Sequence, residues 1–127
     1  MNLKKLFIIV ALSIVGLIII ACLSVYVYKI KDNSTLYPFR INEKRGYIDK
    51  KGKMVIQPVY DYADSFNEGI ARVKINGKWG YIDKKCKMVI QPVYDDAYNF
   101  NEGLAVVVIN GKSSYIDKKG KMIFQFN

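Results

Sequence analysis

Apolar and polar positions alternate along much of this chain beyond residue 36. Residues 70–75 read Ile-Ala-Arg-Val-Lys-Ile, Asn76-Gly77 follows, and residues 78–83 read Lys-Trp-Gly-Tyr-Ile-Asp. Ala71, Val73 and Ile75 point to one side of a strand, Arg72 and Lys74 to the other. Asn-Gly between two such runs predicts a hairpin, because both central residues of that turn need φ > 0. Lys84-Lys85-Cys86-Lys87 then separates the second run from a third, 88–90. Gly52 and Gly120 hold the place of Cys86 in the equivalent turns, as a left-handed last loop residue requires. Cys86 therefore predicts a slightly weaker, solvent-exposed turn, strained by about 1 kcal/mol. Each unit reads as a three-stranded antiparallel meander. Pro58, with no ladder donor, is expected to end the third strand. Asp61 with Asp64 resembles a helix cap and predicts one helical turn, with Ala63 and Phe66 inward and Gly69 releasing the chain. In the next copy Tyr98 stands in place of Asp64, which weakens that cue.

The pattern is periodic. Residues 47–76 and 81–110 match at 23 of 30 positions with an offset of 34, and a third copy opens at Tyr115. The array begins early, since Phe39 and Ile41 align with Val73 and Ile75, with Asn42-Glu43 in place of Asn-Gly. Such repetition builds stacked units, each burying an apolar side on its neighbour. The expected fold is mainly all-β: tandem 34-residue antiparallel three-stranded meanders with short helical-turn loops, preceded by one N-terminal transmembrane helix. Residues 1–28 form the anchor, 29–35 a linker, and 36–127 about two and a half repeats.

Residues 6–28 carry no charge, and about 20 apolar residues suffice to cross a bilayer. Lys4 and Lys5 precede the run; Tyr26, Tyr28, Lys29 and Lys31 close it. An uncleaved signal anchor leads, with the amino terminus inside and the repeats outside the cytoplasm. Two other readings stay open. Ile19-Ile20-Ala21-Cys22 resembles a lipobox, which would make Cys22 a lipidation site, although the chain stays apolar after it. A cleaved signal lacks a clean small-residue site. With Cys22 at the membrane, Cys86 has no disulfide partner within the chain.

The chain holds 20 Lys and Arg, 11 Asp and Glu and no histidine. Missing histidine removes the commonest general base and metal ligand. The basic excess points to anionic partners, although lysines that recur at each turn also keep hairpins solvated. Asp49, Asp83 and Asp117 recur at one position, where each is expected to accept bonds within its own turn rather than join a metal site. Asp61, Asp64 and Glu68 match no calcium-loop spacing. The pattern assigns no catalytic, metal-binding or cofactor-binding residue. Tyr47, Tyr81, Tyr115 and the lone Trp79 fit the core, or else an interaction surface. Val106 and Val108 replace Arg72 and Lys74, so their strand is apolar on both faces and marks a possible contact surface.

Lys78-Trp79-Gly80-Tyr81-Ile82-Asp83, then Gly-Lys, Val-Ile, Pro, Tyr-Asp, Phe and Glu-Gly, resembles the WG-repeat family, also written KWG, over residues 36–126. Arg45 replaces Trp79 in the first unit, and Ser113-Ser114 replaces Trp-Gly in the third. The resemblance implies a bacterial β-rich repeat protein, often at the cell envelope, with no general activity or cofactor. The expected function is a membrane-tethered, extracytoplasmic interaction module for an envelope protein or anionic wall polymer. The alternative is a structural component that pairs with itself or with another membrane protein, through the strand at 105–109 or the open end at 122–126. An enzyme is disfavoured by the absent histidine, and nucleic acid by the external location.

Overall fold

The computed structural model describes residues 35–126 together with Ile18. Eleven strands follow in order: β1 (Tyr37–Ile41), β2 (Lys44–Ile48), β3 (Met54–Tyr60), β4 (Tyr62–Ala63), β5 (Ile70–Ile75), β6 (Lys78–Asp83), β7 (Met88–Tyr94), β8 (Asp96–Ala97), β9 (Leu104–Ile109), β10 (Lys112–Asp117) and β11 (Met122–Phe126). They form three antiparallel sheets, ordered β1-β2-β3, β4-β5-β6-β7 and β8-β9-β10-β11. The fold is all-β with tandem repeats, and no helix among the described residues is long and apolar enough to cross a membrane. The proposed anchor at 6–28, with Cys22, lies outside the described residues apart from Ile18.

The Asn-Gly hairpins form as their chemistry dictates. Asn76 and Gly77 have φ of 50° and 79°, and Asn110 and Gly111 51° and 75°. Asn42 and Glu43 adopt the same turn, at 48° and 66°, without a glycine. At the other end of each sheet, Asp49 Oδ1 accepts the amides of Lys51 and Lys53 at 2.8 and 2.9 Å. Asp83 and Asp117 do the same for the two later turns.

The connecting segments differ from expectation. They are not helical. Tyr62-Ala63 pairs with Lys74 and Val73, and Asn67 bridges Ile70 around Glu68-Gly69, whose φ values are 52° and 81°. Both central residues are left-handed, so Glu-Gly makes a tight hairpin turn, not a helix exit. Asp96-Ala97 and Glu102-Gly103 repeat it. The later sheets therefore have four strands, where three were expected. The cap-like Asp64 carboxylate instead holds Arg72, as described below. Asp and Asn favour turns and caps alike, so the local sequence could not choose between them.

Nor does proline end the strand. β3 and β7 run through Pro58 and Pro92, which fall where the ladder jumps from Tyr47↔Ile56 to Arg45↔Tyr60 and from Tyr81↔Ile90 to Trp79↔Tyr94. A bulge at that point needs no proline N–H. The bulge presses on the central strand. A Cβ on Gly80 would lie 2.6 Å from the Ile90 carbonyl oxygen and 2.8 Å from the Pro92 nitrogen, and one on Gly46 2.3 Å from the Ile56 oxygen. The glycine of each Trp-Gly position is thus fixed by a backbone contact. In the third sheet Ser114 lies opposite Gln125 in unbroken register, so a side chain fits there.

The sheets stack face to face. Ala71, Val73, Ile75 and Ile82 join Tyr47, Ile56 and Tyr60 in one buried cluster. Ala105, Val107 and Ile116 join Trp79, Tyr81, Ile90 and Tyr94 in the next. Every sheet junction is a hydrophobic layer of the same design.

Candidate functional site

Register decides which side chains meet between sheets. Tyr47 and Tyr81 are fully buried. Each packs at a steep angle against the phenylalanine of the next connecting segment, Phe66 and Phe100, with centroids 4.9 Å apart. Their hydroxyls donate to the Asp64 and Tyr98 carbonyls at 2.7 Å. Burial pushes both phenols well above the usual tyrosine value. As a candidate interaction surface they are corrected: they are core residues, and Tyr115 alone of the three is exposed. Trp79 is likewise closed off, 8% exposed. Its ring meets the edge of Tyr62 at 5.4 Å, with the Arg72 guanidinium 4.8 Å from its centroid.

A cation–aromatic stack across the first junction was not legible in the sequence. Arg45 lies over Tyr62 at 3.9 Å, so Tyr62 sits between Arg45 and Trp79. Arg45 donates to the Ala63 carbonyl at 3.3 Å, and Arg72 donates to the equivalent Ala97 carbonyl at 2.5 Å. Arginine thus serves the same carbonyl from two different strands. Where the first unit has Pro38 and Arg45, the second has Arg72 and Trp79. Arg72 also pairs with Asp64 at 2.9 Å. Burial alone would raise the Asp64 carboxyl, but bonds from Ser65, Arg72 and Asn99 outweigh it and hold it below the ordinary value.

Cys86 is left-handed as expected, at φ 62°, but it is not exposed. Its side chain is fully buried, with Sγ 3.4 Å from the Tyr60 hydroxyl. The turn folds back against the preceding sheet: at Gly120, its counterpart, an added Cβ would touch Ile90 at 3.5 Å. The thiol fills the equivalent space at the first junction.

At the hairpin-tip end, Asp61 bonds Lys44 and accepts the Asn76 amide at 2.7 Å. Asp95 does the same with Lys78 and with the Asn110 amide at 2.8 Å. The lysine bond above all holds each carboxyl below the ordinary value. One aspartate therefore ties the lysine of one sheet to the turn of the next. Family comparison finds the same period: the model of the WG containing repeat matches residues 46–79 and 79–112. This chain belongs to the WG-repeat family. Each matched WG repeat starts in one sheet and ends in the next, so the sequence unit straddles a junction. Comparison with curated proteins and with solved structures gave no match.

The two ends of the WG stack differ in charge. At the tip turns Lys44, Lys78 and Lys112 are balanced by Glu43, Asp61 and Asp95, with Arg40 and Lys74 one residue further in. The other end gathers the three Asp-Lys-Lys-x-Lys turns and the Glu-Gly turns. There, nine lysines face five carboxylates, an excess of four. All nine except the half-buried Lys84 are exposed. Three of the five carboxylates bond to backbone amides of their own turns, and Glu68 reaches the Gly103 amide at 3.1 Å and Lys118 at 3.6 Å. The sequence showed the lysines recurring, but it could not show that three turns 34 residues apart line one edge.

Proposed function

We propose that this WG-repeat domain is a binding module for an anionic polymer, tethered to the membrane by residues 6–28 and held outside the cytoplasm. The lysine edge carries the reading: three exposed basic turns stand in a row, while at the opposite end Lys44 and Lys78 are each paired with an aspartate. Stacked sheets lie roughly 10 Å apart, so charge repeats along the edge at a spacing suited to an extended polyanion, not to one compact anion. Lysine offers a solvated point charge without forked geometry, which suits repeated phosphates with little demand for sequence. The aspartates set the turns and leave the ammonium groups outward, apart from that of Lys118, which is held by Glu68. The module binds and orients; it performs no chemical step.

The test is binding of the purified full-length chain to a poly(glycerol phosphate) wall polymer across a salt series. Affinity should fall steeply with salt, because surface charge is screened within about 8 Å at physiological ionic strength. Lys51→Glu, Lys85→Glu and Lys119→Glu together should abolish binding, while Lys112→Glu at the tip end leaves it intact. Equal loss from both sets, or salt-independent binding, would overturn the assignment.

A further inference from the structure

The two internal junctions are one contact made twice. In each, a leading face (positions 71, 73, 75 and 82, then 105, 107 and 116) covers a trailing face. The trailing face carries Tyr47, Ile56 and Tyr60 in the first sheet, and Tyr81, Ile90 and Tyr94 in the second. Among the described residues one face of each kind is left over.

The spare trailing face belongs to the third sheet. Tyr115 and Phe124 pair with each other as Tyr81 pairs with Ile90. Phe126 lies opposite Ser113 as Tyr94 lies opposite Trp79. At the internal junctions these positions are at most 7% exposed, yet Tyr115, Phe124 and Phe126 are 39, 61 and 36% exposed. Phe124 and Phe126 stack at 6.3 Å, and Val106 is opposite Tyr115 on the same face. The spare leading face belongs to the first sheet, where Tyr37 and Ile41, equivalent to Ala71 and Ile75, are 49 and 46% exposed.

The valines add apolar area. Arg72 reaches the Ala97 carbonyl in the short first strand of the next sheet. Val106, in the place of Arg72, cannot donate such a bond and lies opposite Tyr115 on the exposed face.

We propose that a second copy of this chain docks head to tail, the β1–β2 face of one copy covering the β9–β11 face of another and continuing the stack. The contact is heterologous, so each added copy brings a new open face and assembly extends instead of closing at a dimer. Apolar patches bared on a sheet face mark such interfaces. The inference stands apart from the lysine edge, which runs along the side of the stack. The main competitor for the leading face is the chain's own apolar segment, of which Ile18 packs against the first cluster.

The test uses full-length chains in a mild non-ionic detergent, with protein mass read by light scattering. The wild type should grow in mass with concentration beyond a dimer. Tyr37→Lys/Ile41→Lys blocks one face and Tyr115→Lys/Phe124→Lys the other; all four positions are exposed, so each variant should keep its β circular dichroism. Each variant alone should associate at least about tenfold more weakly. Mixed, the two should form a 1:1 dimer and stop, because one open pair of faces remains. A monomeric wild type, as expected where residues 6–28 or detergent covers a face, overturns the proposal. So does either variant that assembles alone as strongly as the wild type, or a mixture that fails to restore the dimer.

Discussion

The strongest constraints act on single backbone positions. Gly80 is glycine because the Ile90–Pro92 bulge occupies the space of its Cβ, and backbone atoms cannot step aside cheaply. Gly80→Ala should cost on the order of 3 kcal/mol, seen as a lower urea midpoint with an unchanged slope. A cost below about 0.5 kcal/mol would mean that the bulge relaxes freely. Glu43 shows the opposite case. It holds φ 66° at a place where the other two tips have glycine, so Glu43→Gly should stabilise the domain by about 1 kcal/mol. Unchanged stability in the same titration would remove strain as the explanation. Arg45 follows the same logic of local compensation, holding at the tryptophan position the carbonyl contact that Arg72 makes one unit later.

At the scale of elements, the strands are joined by carboxylates in one direction and by phenols in the other. Asp61 and Asp64 have carboxyls held below the ordinary value of 3.8, Asp61 chiefly by Lys44 and Asp64 by Ser65, Arg72 and Asn99 against its own desolvation. A depressed folded value means that the folded state gives up these protons more readily than the unfolded one. The stability they supply is therefore complete above pH 3.8 and lost as pH falls through it towards the depressed folded values. The urea midpoint should be level near neutrality and drop on acidification, and Asp61→Asn/Asp64→Asn should flatten that drop. Tyr47 and Tyr81 have the reverse sign, since burial raises them above the ordinary 10.0. Their contribution holds below pH 10.0 and is lost as pH rises past it. Tyrosinate absorbance for two phenols should appear together with unfolding, not before it. Full ionisation of every tyrosine in a chain still folded by circular dichroism would contradict their burial.

For the whole molecule, stability is a sum of sheets and junctions. Trp79 sits in the second junction beneath Val107 and Ala105, so the lone tryptophan reports on that layer. Val107→Ala removes two methyl groups from it and should cost about 1–2 kcal/mol. In a urea titration of this variant, Trp79 emission should shift to the red before β structure is lost, because the third sheet opens first. Coincident transitions by both probes would mean that the stack unfolds as one unit.

Hydrophobic alternation and turn chemistry alone determined the three longer strands of each sheet, the Asn-Gly tips and the Asp-Lys-Lys turns. These follow from neighbours within about six residues, where φ preference and side-chain direction act. Tertiary structure decided the rest. Pro58 continues a strand because a bulge excuses its missing donor, and Asp61 ties two sheets because register brings Lys44 and Asn76 to it. Cys86 is buried because its turn folds onto the previous sheet. Tyr47, Tyr81 and Tyr115 occupy one sequence position, yet stacking buries the first two and leaves the third exposed. Identical residues meet different fates because burial belongs to the junction between sheets, and no single repeat contains a junction.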